Sequence, residues 1–497
     1  MKDRLYMKKI LSLIAIATSM VATAQTNLFL DQSFWKTNPD VATVKAAMEK
    51  GNDATQLNAG SFDPVVYAIN NGTANETIYY LLGLKGNDVN KITHDGRTYI
   101  FWAAYKGNTD LMEFLLKKGA KTDLTDSHGS TIANFAAGSG QANTKVYDIC
   151  IAHGADLKKD LNNDGANALL LSVASDKNLV LTNYFLSKGL DIRSVDRNGN
   201  TAFNYAVRSG NKDLLNKLIE KGVKYNDNAM IMATQSGRGT NTNTVSFYQY
   251  LESLQINPAA IGKNGENALH YIVRKPNQQA EIDYFLSKGV EINKADLEGN
   301  TVFMNAASSN KDVDLLKSLL TQVKDINAVN KKGITALALA IKNNSPDVVS
   351  FLISSGASVE IKDAAGDNLA AYLIQSYTPT AADDFEKKLN ILLSAGLDMG
   401  ARQGKGNTLY HLALAKDNLA LLKKVASFNI DVNAKNAEGL TVLHKAAMTA
   451  KNDGILKYLL SVGASKTIET NLKETVFDLA TENEYLRDNH IAVDFLK

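Results

Sequence analysis

The stretch Gly400-Ala401-Arg402-Gln403-Gly404-Lys405-Gly406 comes nearest to a chemical motif, because glycines around a lysine can cradle a phosphate with backbone N–H groups. It fails at two places. Three residues separate Gly400 from Gly404 where a phosphate loop has four, and Gly406 stands where a metal-binding Ser or Thr belongs. The seven histidines form no His-Glu-x-x-His pair, and the lone Cys150 leaves no paired-cysteine metal site. The carboxylates, though abundant, show no spacing that marks one as acid and another as base. No catalytic, cofactor-binding or metal-ligating residue is therefore assigned, and no cofactor is expected. The chemistry left is recognition, whose energetics tyrosine and arginine side chains dominate at protein surfaces.

Recognition needs a framework, and the chain announces one by repetition. Glycines at 96, 129, 165, 199, 265, 299, 333, 366, 406 and 439 are spaced close to 33 residues apart, with one double step of 66. Two residues after this phase stand Asp63, Thr98, Thr131, Asn167, Thr201, Asn228, Asn267, Thr301, Thr335, Asn368, Thr408, Thr441 and Thr475. All have a side-chain oxygen able to accept from the free N–H groups of a helix start, so the slot is an N-cap. Five positions later the residue is alanine in ten of the thirteen, with Ser172, Ile272 and Leu373 the exceptions. A small side chain there lets helices approach closely. A second helix follows with paired aliphatics such as Leu218-Ile219 and Leu392-Leu393, and it ends at a glycine suited to a left-handed C-terminal residue. Asn429 replaces that glycine once. A unit this short cannot bury its own apolar face, so the copies must stack.

The repeat resembles the ankyrin family. The first half of the signature, Gly-x-Thr-Ala/Val-Leu-His-x-Ala, is legible in Gly439-Leu440-Thr441-Val442-Leu443-His444-Lys445-Ala446, and His270, His411 and His444 fill the histidine slot. The second half, Leu-Leu-x-x-Gly-Ala/Val-x-Val/Ile-Asn, is legible in Phe285-Leu286-Ser287-Lys288-Gly289-Val290-Glu291-Ile292-Asn293. The resemblance implies an all-α solenoid of about 12–14 helix-turn-helix units joined by short hairpin turns. It also implies partner contact through turn tips and the concave face of the first helices. Carried over by position, the tips include Arg97, Ser130, Asn200, Glu266, Asn300 and Ile334. The candidate protein-binding residues are Arg97, Tyr105, Lys106, Arg208, Arg274, Lys275 and Lys342. Tyr105 beside Arg97 and Lys106 is the best single anchor, and Arg208, Arg274 and Lys342 would continue a basic stripe toward an acidic partner. His94 and His128 lie near turn tips, whereas the three slot histidines should hold turns together by hydrogen bonds.

The chain opens like an export signal. Lys2, Arg4, Lys8 and Lys9 precede an apolar run from Ile10 to about Val21 and then Ala22-Thr23-Ala24, a small-x-small cleavage site. No cysteine follows that site, so a lipoprotein route is closed, and Met7 is an alternative start. The leader holds four of the 54 Lys/Arg and one of the 52 Asp/Glu, so the remainder carries 50 and 51, a formal net charge of −1. A near-neutral protein has no bulk field to draw in nucleic acid or an anionic membrane. With one cysteine, in an apolar helical stretch, no internal disulfide can form and packing must supply the stability.

The organisation expected is a signal peptide at 1–24, an N-terminal capping unit at 25–60, an ankyrin-repeat array at 61–470 with a degenerate unit at 226–258, and a C-terminal capping unit at 471–497. Polar insertions at Ser236–Thr244, Gly138–Thr144, Lys275–Ala280 and Ser376–Asp384 fall between the helices of a unit. Trp35 and Trp102 are the only tryptophans and both are expected to be packed. The function these features point to is an exported, monomeric, non-enzymatic scaffold, periplasmic or secreted, that binds another protein. A secreted effector or inhibitor of a target enzyme is the alternative, and a glycan-binding protein or hydrolase fits less well for want of exposed aromatics on one face.

Overall fold

The computed structural model describes residues 27–235 and 243–497; the expected signal peptide and most of the 236–244 insertion lie outside the described residues. The described chain is helical, and its extended pairing is limited to the isolated bridges Val195–Thr201 and Ala295–Thr301. It divides into two compact units that meet in sequence at Tyr225 and Asn226. The first unit holds six antiparallel helix pairs, from Gln32–Lys36 with Val41–Glu49 to Ala202–Ala206 with Lys212–Glu220. The second holds eight, from Asn228–Thr234 with Val245–Ser253 to Val476–Glu482 with Glu484–Asp488. Within each unit first helices pack on neighbouring first helices and second helices on second helices, the all-α array that the period requires.

The cap slot works as its residue types imply. The side chains of Thr131, Asn167, Thr201, Thr301 and Thr335 each accept from the backbone N–H three residues on. Thr98 holds the cap position without such a bond. Asn267 stands one residue before its helix's N-cap, Ala268, and Asn228 departs from the expectation the other way: it is the first residue of its helix, and Asp227 is the N-cap. The cause is local, since the glycine turn is lost there and the Asn228 N–H is taken by the Asn226 side chain instead. The small slot is as closed as the period demands, with Ala103, Ala136, Ala306, Ala340 and Ala446 all fully buried. Asn429 adopts φ 55°, the left-handed exit that glycine supplies elsewhere.

Polar ties between neighbouring repeats explain why the loops carry so much asparagine. The signature asparagine at the end of a unit reaches the next one twice. Asn293 donates to the Gln322 carbonyl at 2.8 Å and accepts from the Lys324 N–H at 3.1 Å, and Asn433 does the same with Gly463 and Ser465. A second tie caps the carbonyl ends of first helices. Asn344, buried, donates to the carbonyls of Ala307 and Asn310, both at 2.8 Å, and Asn483 bridges Ala447 and Ala450. Lys388 plays this part for Ile341 at 2.9 Å, and burial holds its ammonium below the usual lysine range. Asn344→Ala would leave two buried carbonyls without that donor. It is expected to lower stability by about 1–3 kcal/mol, read as a drop in the denaturation midpoint and faster amide exchange over residues 302–320.

The ends are covered as a stacked array requires. Trp35 is buried and donates through Nε1 to the Phe29 carbonyl at 2.9 Å, with Phe29 and Phe34 packed against its ring. At the other end the sequence suggests a helix from Ile491 to Leu496, but only Asp494–Leu496 is helical, as a single 3-10 turn. His490 at φ 53° reverses the chain after Glu484–Asp488 and so stops any continuous helix there.

Candidate interaction surface

The face to build is that of the first helices and their hairpins. Four residues after the cap, five of the units place an aromatic side chain with a polar atom; Tyr271 donates to Glu266 at 3.3 Å, and the other four reach the start of their own hairpin. Asn58 donates to the Tyr67 hydroxyl at 2.7 Å and Trp102 Nε1 donates to Thr93 Oγ1 at 2.9 Å. Tyr205 and Tyr372 donate to Asp196 at 3.0 Å and Asp363 at 2.7 Å. In each of these four the partner stands nine residues upstream, in the hairpin. The ring therefore fixes the angle between hairpin and helix, and the face is preformed.

In the first unit these rings join others into an aromatic patch. Phe62 stacks on His94 with centroids 4.3 Å apart and on Tyr67 at 5.8 Å. Phe135 lies 5.7 Å from Trp102 and 5.8 Å from Tyr105. Tyr105 is 37% exposed, the openest of the group, and Lys106 extends its ammonium 5.7 Å from the Tyr105 ring. Phe62, His94 and Phe135 are half-buried and were not singled out as a patch by sequence. The available signal was aromatic occupancy of one slot in consecutive units, Tyr67, Trp102 and Phe135.

Arg97 is corrected by the structure. It is only 8% exposed, its Nε and Nη2 donate to Asp126 at 3.0 and 2.8 Å, and its guanidinium lies 4.1 Å from the Phe135 ring centroid. It also lies 5.4 Å from the Trp102 ring centroid and 3.2 Å from Asp95, a tip carboxylate that His94 and His128 also approach, at 3.3 and 3.5 Å. Arg97 thus positions the patch from beneath. The physical cause is the left-handed glycine: the chain reverses there, and the next residue turns back under the hairpin. Ser130, Asn200 and Glu266 are buried for the same reason, while Asn300 and Ile334 are half-buried. Lys275 is corrected too, since its Nζ donates to the Thr234 carbonyl at 2.7 Å and burial holds it below the usual lysine range. Arg208 is half-buried over the Tyr205 ring, and Arg274 and Lys342 are exposed. Tyr105, Lys106 and Arg208 lie in the first unit; Arg274, Lys275 and Lys342 lie in the second.

Charge is distributed unevenly. From Pro64–Asn71 to Val442–Thr449, twelve first helices carry no Asp or Glu, whereas nine of the twelve second helices paired with them do. Lys106 and Lys342 sit in the last turn of their first helices, where they also complement the helix dipole, whereas Lys445 lies in the first half of its helix.

The slot histidines are structural. The Thr441 N–H donates to His444 Nδ1 at 3.1 Å, and His444 Nε2 faces the Ile468 carbonyl of the next unit at 2.9 Å. His411 and His270 repeat the arrangement toward Leu440 and Asn300. This pairing is that of a neutral ring with its proton on Nε2. Burial holds all three below the usual imidazole range. The unfolded chain takes up those protons first as pH falls through ~6.5, so stability declines from there downward, by at most ~1.4 kcal/mol per pH unit for each histidine until the native rings also protonate. Denaturant midpoints at pH 7.5 and 5.5 should differ, and the difference should shrink in His411→Gln/His444→Gln.

Among the described residues no group of His, Cys, Asp and Glu side chains is arranged to hold a metal, and no helix is long and apolar enough to cross a membrane. Cys150 is buried and its thiol is pushed up to about 12 by burial. A cleft of about 400 Å³ opens away from the first-helix face, between second helices, lined by Tyr79, Phe114, Lys85 and Lys118.

A family model for ankyrin repeats in three copies matches residues 38–126, 65–159, 134–229, 269–363 and 380–470. An ankyrin repeat protein of Acanthamoeba polyphaga mimivirus is 22% identical over 339 residues, 59% of this chain and 41% of the relative. An ankyrin repeat protein of Variola virus is 24% identical over 253 residues, 50% and 44% of the two chains. Transient receptor potential cation channel subfamily A member 1 of Homo sapiens is 23% identical over 407 residues, 82% and 31% of the two chains. The chain spans less than half the length of these relatives. Among solved structures, the ankyrin repeat domain of Bcl-3 matches 44% of this chain and 95% of its own length at 21% identity, with a TM-score of 0.35.

Proposed function

This chain belongs to the ankyrin-repeat family, and from that premise we propose that it is an exported, non-enzymatic scaffold that binds another protein through its first-helix face. The observation that carries the reading is the aromatic patch of the first unit. Tyr105 and Phe135 lie beside Lys106, and Arg97 is locked beneath them by Asp126. Preformed aromatic surface with an adjacent cation is what dominates protein interfaces, because large rigid rings bury area at little entropic cost. The absence of carboxylates from the twelve first helices supports an acidic partner. The basic, apolar leader supports export, and export would place the scaffold in the periplasm or the medium.

The test is affinity capture of the mature chain, residues 25–497, from envelope and medium fractions, in parallel with Tyr105→Ala/Lys106→Glu. A partner captured by the parent and reduced at least tenfold in the double variant supports the reading. Capture that is equal in both places the contact elsewhere, and no capture by either chain overturns the scaffold role. Mass spectrometry of the recovered protein should find Gln25 at its N-terminus.

A further inference from the structure

We propose that the hairpin ridge of the second unit is a docking track for an extended segment of a partner protein that passes from an apolar stretch into carboxylates. The inference rests on the scaffold reading for the existence of a partner, and it adds a surface distinct from the Tyr105 face. The ridge is continuous within this unit because successive hairpins bond side by side. Leu297 donates its N–H to the Asn264 carbonyl at 2.6 Å, Lys331 to Glu298 at 2.9 Å, Ala364 to Lys332 at 2.8 Å and Ala437 to Lys405 at 2.8 Å. The remaining step, to the 403–407 hairpin, is closed by the Gly404 N–H on the Asp367 carboxylate at 2.7 Å.

Along the bonded hairpins up to 436–440 one position changes once from apolar to cationic, and it turns acidic at Glu469, before the 470–474 hairpin. The residue just before each hairpin is Ile261, Ala295 and Val329 in three successive repeats, then Lys362, Arg402 and Lys435 in the next three. Ile261 and Val329 are each 51% exposed, far more than an aliphatic side chain needs for packing, and Leu297 at a neighbouring tip is 56% exposed. The tips add Lys331, Lys332 and Lys405, all exposed. None of these six cations makes an ion pair among the described residues. The carboxylates near them are engaged: Asp363 by the Tyr372 hydroxyl and two turn N–H groups, Asp367 by Gly404, and Glu438 by Lys445 at 3.0 Å. Arg402 is held in place by bonds from Nη1 to the carbonyls of Gly406 and Lys435, which leave its other edge outward. The first unit also exposes aliphatics at this position, Ile92, Leu161 and Val195, but no run of cations follows them. An apolar half and a cationic half that forms no ion pairs among the described residues, on one line, ask for a segment with the complementary order.

Spacing sets the register. Packed helices lie about 8–10 Å apart and an extended chain rises ~3.3 Å per residue, so about three residues of the partner pass each repeat. Apolar side chains at every third position would meet Ile261, Ala295 and Val329, and carboxylates at every third position would meet Lys362, Arg402 and Lys435.

The experiment measures fluorescence anisotropy of two labelled 18-residue peptides with the full mature chain. One has leucine at positions 1, 4 and 7 and glutamate at 10, 13 and 16; the other has the same residues in reverse order. Glycine, serine and threonine fill the rest, and a scrambled peptide of equal composition is the control. Binding of one ordered peptide is expected, weakened at least tenfold by Lys362→Glu/Arg402→Glu/Lys435→Glu and by Val329→Asp, and unchanged by Tyr105→Ala/Lys106→Glu. Lys331→Glu/Lys332→Glu, which leaves the Arg402 bonds intact, should weaken it as well. Absence of binding to the parent chain, equal binding of the scrambled peptide, or equal binding by the charge-reversed chains overturns the track. Because the Tyr105 variant reports on the other face, undiminished capture by that variant with peptide binding intact would sink the first-helix site and leave the track standing.

Discussion

Replacing Asp63 with alanine is expected to destabilise the N-terminal repeats by about 3–5 kcal/mol, because it strands a charge that the fold has taken out of water. Asp63 is fully buried, and its carboxylate accepts from Lys91 Nζ at 2.9 Å, from the Tyr99 hydroxyl at 2.6 Å and from the Val66 N–H at 2.9 Å. Lys91 also donates to the Thr55 carbonyl at 2.7 Å and to Asn87 at 3.1 Å, so the ammonium ties the end unit to the first repeat pair. Burial, and then the Asp63 charge beside it, push the Tyr99 phenol far above its usual range, so the hydroxyl stays a donor at any accessible pH. Alanine removes the helix cap and the counter-charge together. Lys91 would be left with two neutral acceptors, and Tyr99 would lose the shorter of its two hydrogen bonds, keeping Asn87 at 3.4 Å. Arrays of this kind open locally, so the readout is amide exchange resolved over residues 61–106 beside the global denaturation curve. Asp63→Ala/Lys91→Met should recover much of the loss, since no charge is then stranded. A loss below ~0.5 kcal/mol in the single variant would mean that the pair contributes nothing and that the cap alone matters little.

Asp63 shows where sequence reasoning reaches and where it stops. Its role as an N-cap was legible, because an oxygen-bearing residue before Pro64 at the repeat phase has one obvious local use. Its pairing with Lys91 was not, since that contact joins residues 28 apart with no periodic signal. The same division runs through the candidate site. The left-handed glycines, Asn429, the histidine ties and the burial of Trp35 and Trp102 all follow from local geometry or one repeated slot. Arg97 and Lys275 were misplaced because period fixes a position in the unit but not the direction of its side chain. Asp126, one unit on, pulls Arg97 inward, and the Thr234 carbonyl does the same to Lys275. Tyr105 and Lys106 kept their exposure because they end a helix beyond the reach of the hairpin.

Gly333→Ala is expected to cost ~3–4 kcal/mol, and Gly96→Ala only ~1 kcal/mol, although both glycines fill the same slot with φ near +75°. The shared part is the cost of holding an L-residue in the left-handed region. The difference comes from what the new methyl would meet. At Gly96 the nearest atom is 3.5 Å away, an ordinary contact. At Gly333 it would stand 2.7 Å from the Ala364 nitrogen and 3.0 Å from the Asp363 Cα, backbone that cannot rotate aside. Nor can the next hairpin slide away cheaply, since the Ala364 N–H is bonded to the Lys332 carbonyl and Asp363 is bonded to its own turn and to Tyr372. Relief must therefore break the ridge between Val329 and Lys362, where its apolar half meets its cationic half. Gly333→Ala should raise amide exchange over residues 330–367 and weaken the ordered peptide, whereas Gly96→Ala should leave that peptide untouched. Equal stability losses in the two variants would show that the hairpins are free to part, and would remove the rigidity on which a continuous track depends.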